Sequence, residues 1–461
     1  MERHQEMYRN KTTSRILTGL VIAAGFVHAQ TPAQTNQQEI DQLRQQLDQL
    51  AQKQKADEAA ATTAAAASTS NNASVTADDH GFTIKSNDGD FVLNIGADIQ
   101  IDNRSFFGVG SQSLPDTILL RRARPVFQGT IYKYVDYFFR PDFGKGSVLI
   151  YDAYAELKYF SRAKLRVGKF KTPIGMERLQ SDDDTTFVER GLPSLLVPQR
   201  DIGFQLAGDI VTGRVGYQVG VFNGVADTAL ADAAVGDHRD VAARIFATPF
   251  QPDADNPLHG LGFGIGVTGG NVDGEALPSY TTFGQNSFFT FASGVTEAGH
   301  RTRLQPQLYY YLGGFGLLSE YGKNEEGLQK GTFRTDMGFR AWQVEVSYNL
   351  TGEKKSFGAT TPKRNFNPKN GGWGAWELAF RVGGFNADRA IYGDGFASPT
   401  TSPREAHERV GGVNWYLNRL FKIAVDYGNT DFGGGNTIAL GGNKPEEKVV
   451  TIRFQLNFVG S

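Results

Sequence analysis

Between Lys169 and Pro193 the chain reads KFKTPIGMERLQSDDDTTFVERGLP, with basic residues at Lys169, Lys171, Arg178 and Arg190 and acidic ones at Glu177, Asp182, Asp183, Asp184 and Glu189. Charges of both signs at this density suit anion capture by the cations or cation capture by the acids. A calcium loop needs oxygen ligands at alternating positions, and the consecutive Asp182, Asp183 and Asp184 lack that spacing. A solvated or arginine-paired acidic run is the simpler reading. Covalent and metal chemistry have little to work with elsewhere. The seven histidines are scattered, no GxSxG is present, and GFGIG at 262–266 continues a strand pattern without opening a helix. No catalytic residue, metal site or cofactor is expected.

Other charged side chains recur at strand spacing. In LLRRARPVFQGTI (119–131) the apolar parity of Leu119, Ala123, Phe127 and Ile131 sends Arg122 and Arg124 to the opposite face, with Arg121 near one end of the strand. The same argument places Lys164, Arg166, Arg244, Glu377, Arg381 and Arg453 on a wet face. FVLNIGADIQI (91–101) and VTIRFQLNF (450–458) show the alternation most clearly, with Asn94, Asp98 and Gln100 opposing Ile95, Ile99 and Ile101.

Such strands need a fold with one wet and one apolar face throughout. Tight turns follow aromatic residues at Tyr132 and Tyr134, Tyr159 and Phe160, Tyr309 to Tyr311, and Trp415 and Tyr416, while long polar loops run at 271–299 and 387–406. This asymmetry predicts an all-β transmembrane antiparallel barrel with an interfacial aromatic girdle, short turns at one rim and long loops at the other. About sixteen segments between residues 90 and 458 have a length suited to tilted spanning strands. A soluble sandwich or propeller is the competing architecture, and it would turn its apolar faces toward a core. A barrel of this size encloses water, so inward arginines bias it toward anions unless lumen acids such as Asp98, Asp152 and Glu156 pair with them.

The N-terminal region adds three expectations. Basic residues, the apolar run ILTGLVIAAGFV and VHA before Gln30 predict a signal peptide over 1–29. Ile40, Leu43, Leu47 and Leu50 predict a short coiled-coil helix over 36–58. The Ala, Thr, Ser and Asn run predicts a low-complexity linker over 59–80 before the barrel domain at 81–461. Composition excludes other classes: 55 glycines, no cysteine and a net charge of −2 fit neither a disulfide scaffold nor a nucleic-acid binder.

At RRARPVFQGT, DAYAEL, LRVGKFKTPIGMERLQS, FVERGLP, RDIGFQLAGD and NPKNGGWGAWELAFR the sequence resembles the phosphate-selective porin O and P family of bacterial outer membranes, over roughly residues 82–461. The resemblance implies a homotrimer of sixteen-stranded barrels in outer-membrane lipid, each with a loop folded inward as a constriction and an arginine-lined path for phosphate-like anions. It assigns Glu177, Arg178, Ser181, Asp182, Asp183 and Asp184 to that loop, makes Arg122 a lumen arginine, and gives Arg178 and Arg190 basic positions on or beside the constriction. Asp98, Asp136 and Asp183 stand where phosphate-specific members carry basic residues, which opposes anion binding. The expected function is passive diffusion of small hydrophilic solutes with a preference for anions such as phosphate. The alternatives are a non-specific porin or an envelope-tethering or adhesion barrel.

Overall fold

The computed structural model describes residues 32–70, 73–107, 114–233, 236–435 and 446–459. The expected signal peptide over 1–29 lies outside the described residues. The chain divides after Asn71 into two compact units.

The described residues of the first unit form α1 (Pro32–Ser70). The expected coiled-coil segment lies inside it, and its seam is bare: exposure rises from 42% at Ile40 to 66% at Leu47 and Leu50. The helix also runs through residues 59–70, where a linker was expected. Alanine loses no side-chain entropy on entering a helix, which favours continuing the helix past residue 58. From Ser74 the rest of the expected linker holds β1 (Ser74–Asp78), which pairs as a hairpin with β2 (Gly81–Lys85) at the start of the expected barrel domain.

The second unit is a closed antiparallel barrel of sixteen strands. Its wall begins with β3 (Phe91–Phe107), β4 (Thr117–Ile131), β5 (Val135–Asp142), β6 (Leu149–Phe160), β7 (Ala163–Phe170), β8 (Asp201–Val211), β9 (Val215–Phe222), β10 (Asp240–Ala247) and β11 (Leu261–Ala276). A loop hairpin, β12 (Tyr280–Thr281) and β13 (Ser287–Phe289), precedes β14 (Val295–Leu312), β15 (Phe315–Lys330), β16 (Phe333–Asn349), β17 (Ala375–Ala387), β18 (Glu405–Tyr416), β19 (Phe421–Gly433) and β20 (Glu446–Asn457). The seam closes where β20 pairs with β3, from Lys448 opposite Phe107 to Asn457 opposite Asp98. Beyond that point β2 takes over the free edge of β3, pairing Phe82 with Ile95 and Lys85 with Val92. Closure pairs each of the sixteen wall strands on both sides.

Polarity is inverted relative to a water-soluble fold. Ile99, Ile101, Phe204, Val221, Ile265, Phe380 and Phe454 face outward and are exposed, whereas Asp98, Gln100, Arg124, Glu377, Arg381 and Arg453 face inward and are buried. An apolar belt around the whole wall is stable in hydrocarbon and unstable in water. No described helix is long and apolar enough to cross a membrane.

The aromatic turns are present with one correction. Tyr132, Tyr134, Tyr159 and Phe160 are exposed, and Tyr134 stacks on Tyr159 at 4.7 Å between ring centres. Trp376 stacks on Trp415 at 5.0 Å. Tyr311 and Tyr416 instead point inward and are buried, because they share the parity of lumen residues Gln307 and Asn414. Turns such as Gly313–Gly314, with φ 56° at Gly313, suit a tight hairpin that favours glycine. The rims are less asymmetric than expected: segments 248–260 and 350–374 lengthen the tight-turn rim, and the expected loops at 271–299 and 387–406 contract to 277–294 and 388–404 as strands extend into them.

Candidate functional site in the barrel lumen

Residues 171–200 connect β7 to β8 and turn into the lumen. Gly175, with φ 81°, bends the chain into the one-turn helix α2 (Met176–Leu179), and Pro193 opens a 3-10 turn over Leu192–Leu196. Distant wall strands hold the loop through its backbone. Glu320 accepts from the Met176 and Glu177 N–H groups at 2.6 and 3.3 Å, and Asp426 accepts from Val188 N–H at 2.8 Å. Asn414 donates to Thr186 O at 2.8 Å, Lys422 to Thr185 O at 3.0 Å, and Gln455 to Asp183 O at 3.0 Å. Phe187 and Val188 pack with Phe283, Val410, Ala424 and Val449 behind it. Buried backbone groups satisfied in this way fix a loop in place.

The acidic triplet divides its labour. Asp182 receives Arg124 and Arg190 in very short ion pairs and has Arg122 Nε at 3.6 Å. Burial opposes ionisation of Asp182, but Arg190, Arg122 and Arg124 outweigh it and hold the carboxyl well below the usual range. Asp183 accepts from Gln100 Nε2 at 3.3 Å, and Asp184 accepts from Ala359 N–H at 3.0 Å. That last bond ties the loop to segment 350–374, which enters from the tight-turn rim and also receives Gln180 Nε2 on Phe357 O at 2.6 Å.

Arg121 needs a correction. A bulge opposite Gln100 and Ile101 adds one residue to β4, so Arg121 and Arg122 both face inward. Arg121 clasps Glu189 of the loop through two bonds of 2.7 and 3.0 Å, and Arg104 adds a third at 3.0 Å. Burial disfavours charge on Glu189, yet Arg121, Arg104 and Arg453 lower its pKa well below the ordinary value.

The arginines anticipated from the sequence fall into three groups. Arg122, Arg178 and Arg190 line a polar chamber of about 280 Å³ together with Arg121, Lys145 and Arg200. Arg178 donates to Ser194 O at 2.6 Å and has no carboxylate within salt-bridge reach among the described residues. Burial, then repulsion from Arg190, pushes its pKa down to about 9, which leaves it charged at neutral pH. Arg166 and Arg244 line a second chamber of about 380 Å³ beyond Ser181 and Leu179. Arg166 pairs with Glu156 at 2.7 Å, whereas Arg244 bonds Gln307 at 3.0 Å and Gln218 at 3.5 Å, lies over the Phe246 ring at 4.4 Å, and has no carboxylate within 4.0 Å among the described residues. Arg124 and Arg381 stand apart as buried struts. Arg124 also pairs with Asp142 at 2.8 Å, and Arg381 binds Glu408 at 3.0 Å and Glu189 O at 2.9 Å.

Two of the three acids expected to stand at basic family positions lie on or near the inward loop. Asp98 is buried 3.7 Å from Arg124, and Asp183 is on the loop. Asp136 is at the tight-turn rim, where Lys158 neutralises it at 2.6 Å. Arg140 and Arg200, which the sequence does not single out, also face a chamber, beside Lys171 of the mixed-charge stretch. The parity of FFRPD marks Arg140, but no local signal marks Arg200.

The sequence profile of the phosphate-selective porin O and P family matches residues 93–458. Porin O of Pseudomonas aeruginosa is 24% identical over 391 residues, covering 75% of this chain and 84% of the relative. Among solved structures, the outer-membrane channel DcaP of Acinetobacter baumannii superposes with a TM-score of 0.50 at 11% identity, over 81% of this chain and 99% of that one. The anion-selective porin of Comamonas acidovorans gives 0.49 at 11% identity, over 80% and 100%. The structural likeness carries the barrel fold alone, and the profile carries the family. The protein belongs to the phosphate-selective porin O and P family and is a porin of the bacterial outer membrane, a channel and not an enzyme.

Proposed function

We propose that the protein is a passive diffusion channel with a mild preference for small anions and only weak phosphate binding. The observation that carries this reading is the division of lumen cations. Arg122, Arg124 and Arg190 are spent on Asp182, while Arg178, Lys171 and Arg244 have no carboxylate within 4.0 Å among the described residues. Uncompensated cations in a narrow aqueous path raise the local anion concentration, since screening acts over about 8 Å at physiological salt. Tight phosphate capture needs several free guanidinium or ammonium donors converging on one point. Here a carboxylate already occupies the point where three arginines converge.

Assembly as a homotrimer fits the same reading, with the exposed apolar seam of α1 as a coiled coil between three copies. One solved neighbour, OmpT of Vibrio cholerae, is described in a trimer form. Reversal potentials in a KCl gradient across a planar bilayer test the selectivity. An anion-directed potential with phosphate block of the chloride current only at millimolar levels is expected, whereas cation selectivity or micromolar block overturns it. A tethering or adhesion barrel would give no conductance.

A further inference from the structure

The chamber of about 380 Å³ beyond the loop differs in chemistry from the polar one. Its wall carries Phe138 on β5, Tyr154 on β6 and Phe170 at the end of β7, and Leu179 of the loop faces them. Phe138 and Tyr154 sit opposite each other in register, with rings 5.5 Å apart and only 8° from parallel. Tyr154 meets Phe170 edge-on at 5.9 Å. Guanidinium planes are interleaved with these rings: Arg166 lies over Tyr154 at 4.4 Å, and Arg140 over Phe138 at 5.3 Å. Three rings on a lumen face are unexpected where neighbouring inward positions are Gln, Thr, Asp and Arg.

The acids of this chamber are already matched. Asp152 holds Arg140 at 2.6 Å and Arg200 at 2.8 Å, and Glu156 holds Arg166. Lys171, bonded only to the carbonyls of Gln180 at 2.6 Å and Leu179 at 3.3 Å, and Arg244, bonded only to glutamine oxygens, remain uncompensated. An apolar planar wall beside the Arg244 guanidinium and the Lys171 amine, whose pKa burial and then Arg200 and Arg190 push well below the ordinary value, selects a ligand with a planar apolar body and one anionic end. Phe138, Arg140, Tyr154 and Ser181 also line the next cavity toward the tight-turn rim, of about 500 Å³, so the chamber lies on a route and not in a blind recess.

We propose that this chamber is a subsite for aromatic carboxylates, which are held by their rings against Phe138 and Tyr154 and by their carboxylate at Lys171 and Arg244. The inference rests on the anion-channel reading and narrows it to a solute class. Ring stacking and cation–π contacts favour a planar aromatic solute over an aliphatic one of equal charge.

Purified full-length protein in a planar bilayer tests this with benzoate, cyclohexanecarboxylate and acetate, each added against a fixed chloride current. Benzoate is expected to reduce that current at roughly tenfold lower concentration than either comparator. In Phe138→Leu/Tyr154→Leu the ratio of benzoate to acetate potency, taken within that protein, is expected to fall to about one. Equal potency of the three acids in the unaltered protein overturns the proposal, and so does a ratio unmoved in the double variant. The KCl reversal potential is read in the same membrane. Anion selectivity with equal potencies rejects the aromatic subsite alone, and cation selectivity rejects the anion reading beneath it.

Discussion

Asp182 decides how much of the lumen's positive charge a solute meets. Three guanidinium groups converge on its carboxylate, while Glu189 is clasped by Arg121 and Arg104, and Arg200 is held by Asp152. Replacing Asp182 by Asn keeps the shape and two polar atoms but removes the charge. The freed arginines are then available to anions, as charge-assisted bonds favour. Asp182→Asn is expected to raise the anion-to-cation permeability ratio and to shift phosphate block to at least tenfold lower concentration, both measured in bilayers. The same change leaves three buried cations without their shared partner. Breaking a buried pair this way costs roughly 3–5 kcal/mol, so a lower unfolding temperature is expected beside the functional gain.

At the scale of elements, the inward loop is a side branch held by bonds from strands remote in sequence. Glu320 on β15 accepts two of its N–H groups. Glu320→Ala is expected to loosen α2, leaving the barrel folded but raising open-channel noise and mean conductance in single-channel records. Each lost backbone bond is worth about 1–3 kcal/mol when its donor stays buried. Much of this architecture was legible from alternation alone, because an inside-out wall writes its polarity into every second residue. Arg122, Arg166, Arg244 and Arg381 were found by parity. Arg121 was misplaced at the rim because one bulge residue shifts parity locally, which no period-two pattern reports. The Asp182 cluster was not legible, since Arg122, Arg124 and Arg190 meet only after the loop has turned inward. Residues 59–70 were read as linker because they have nothing to bury, although alanine loses no side-chain entropy in a helix.

For the whole molecule, the exposed seam of α1 matters most. Ile40, Leu43, Leu47 and Leu50 repeat at coiled-coil spacing and no described residue covers them. A single helix with so narrow an apolar stripe is marginal in water, and association of copies would stabilise it. Leu43→Asp/Leu47→Asp is expected to lower the temperature at which the proposed trimer dissociates in mild detergent by several degrees, read by native electrophoresis, with single-channel conductance unchanged. An identical dissociation temperature would leave α1 without a role in assembly.

The seam between β3 and β20 also orders events in time. Arg453 Nε reaches Asp102 at 2.6 Å across 351 residues of chain, and the same guanidinium donates to Val188 O of the inward loop. Contacts of such separation carry the largest loop-closure entropy and form late. The filter therefore cannot assume its final shape until the last strand arrives, and a chain that has not closed has no channel to leak.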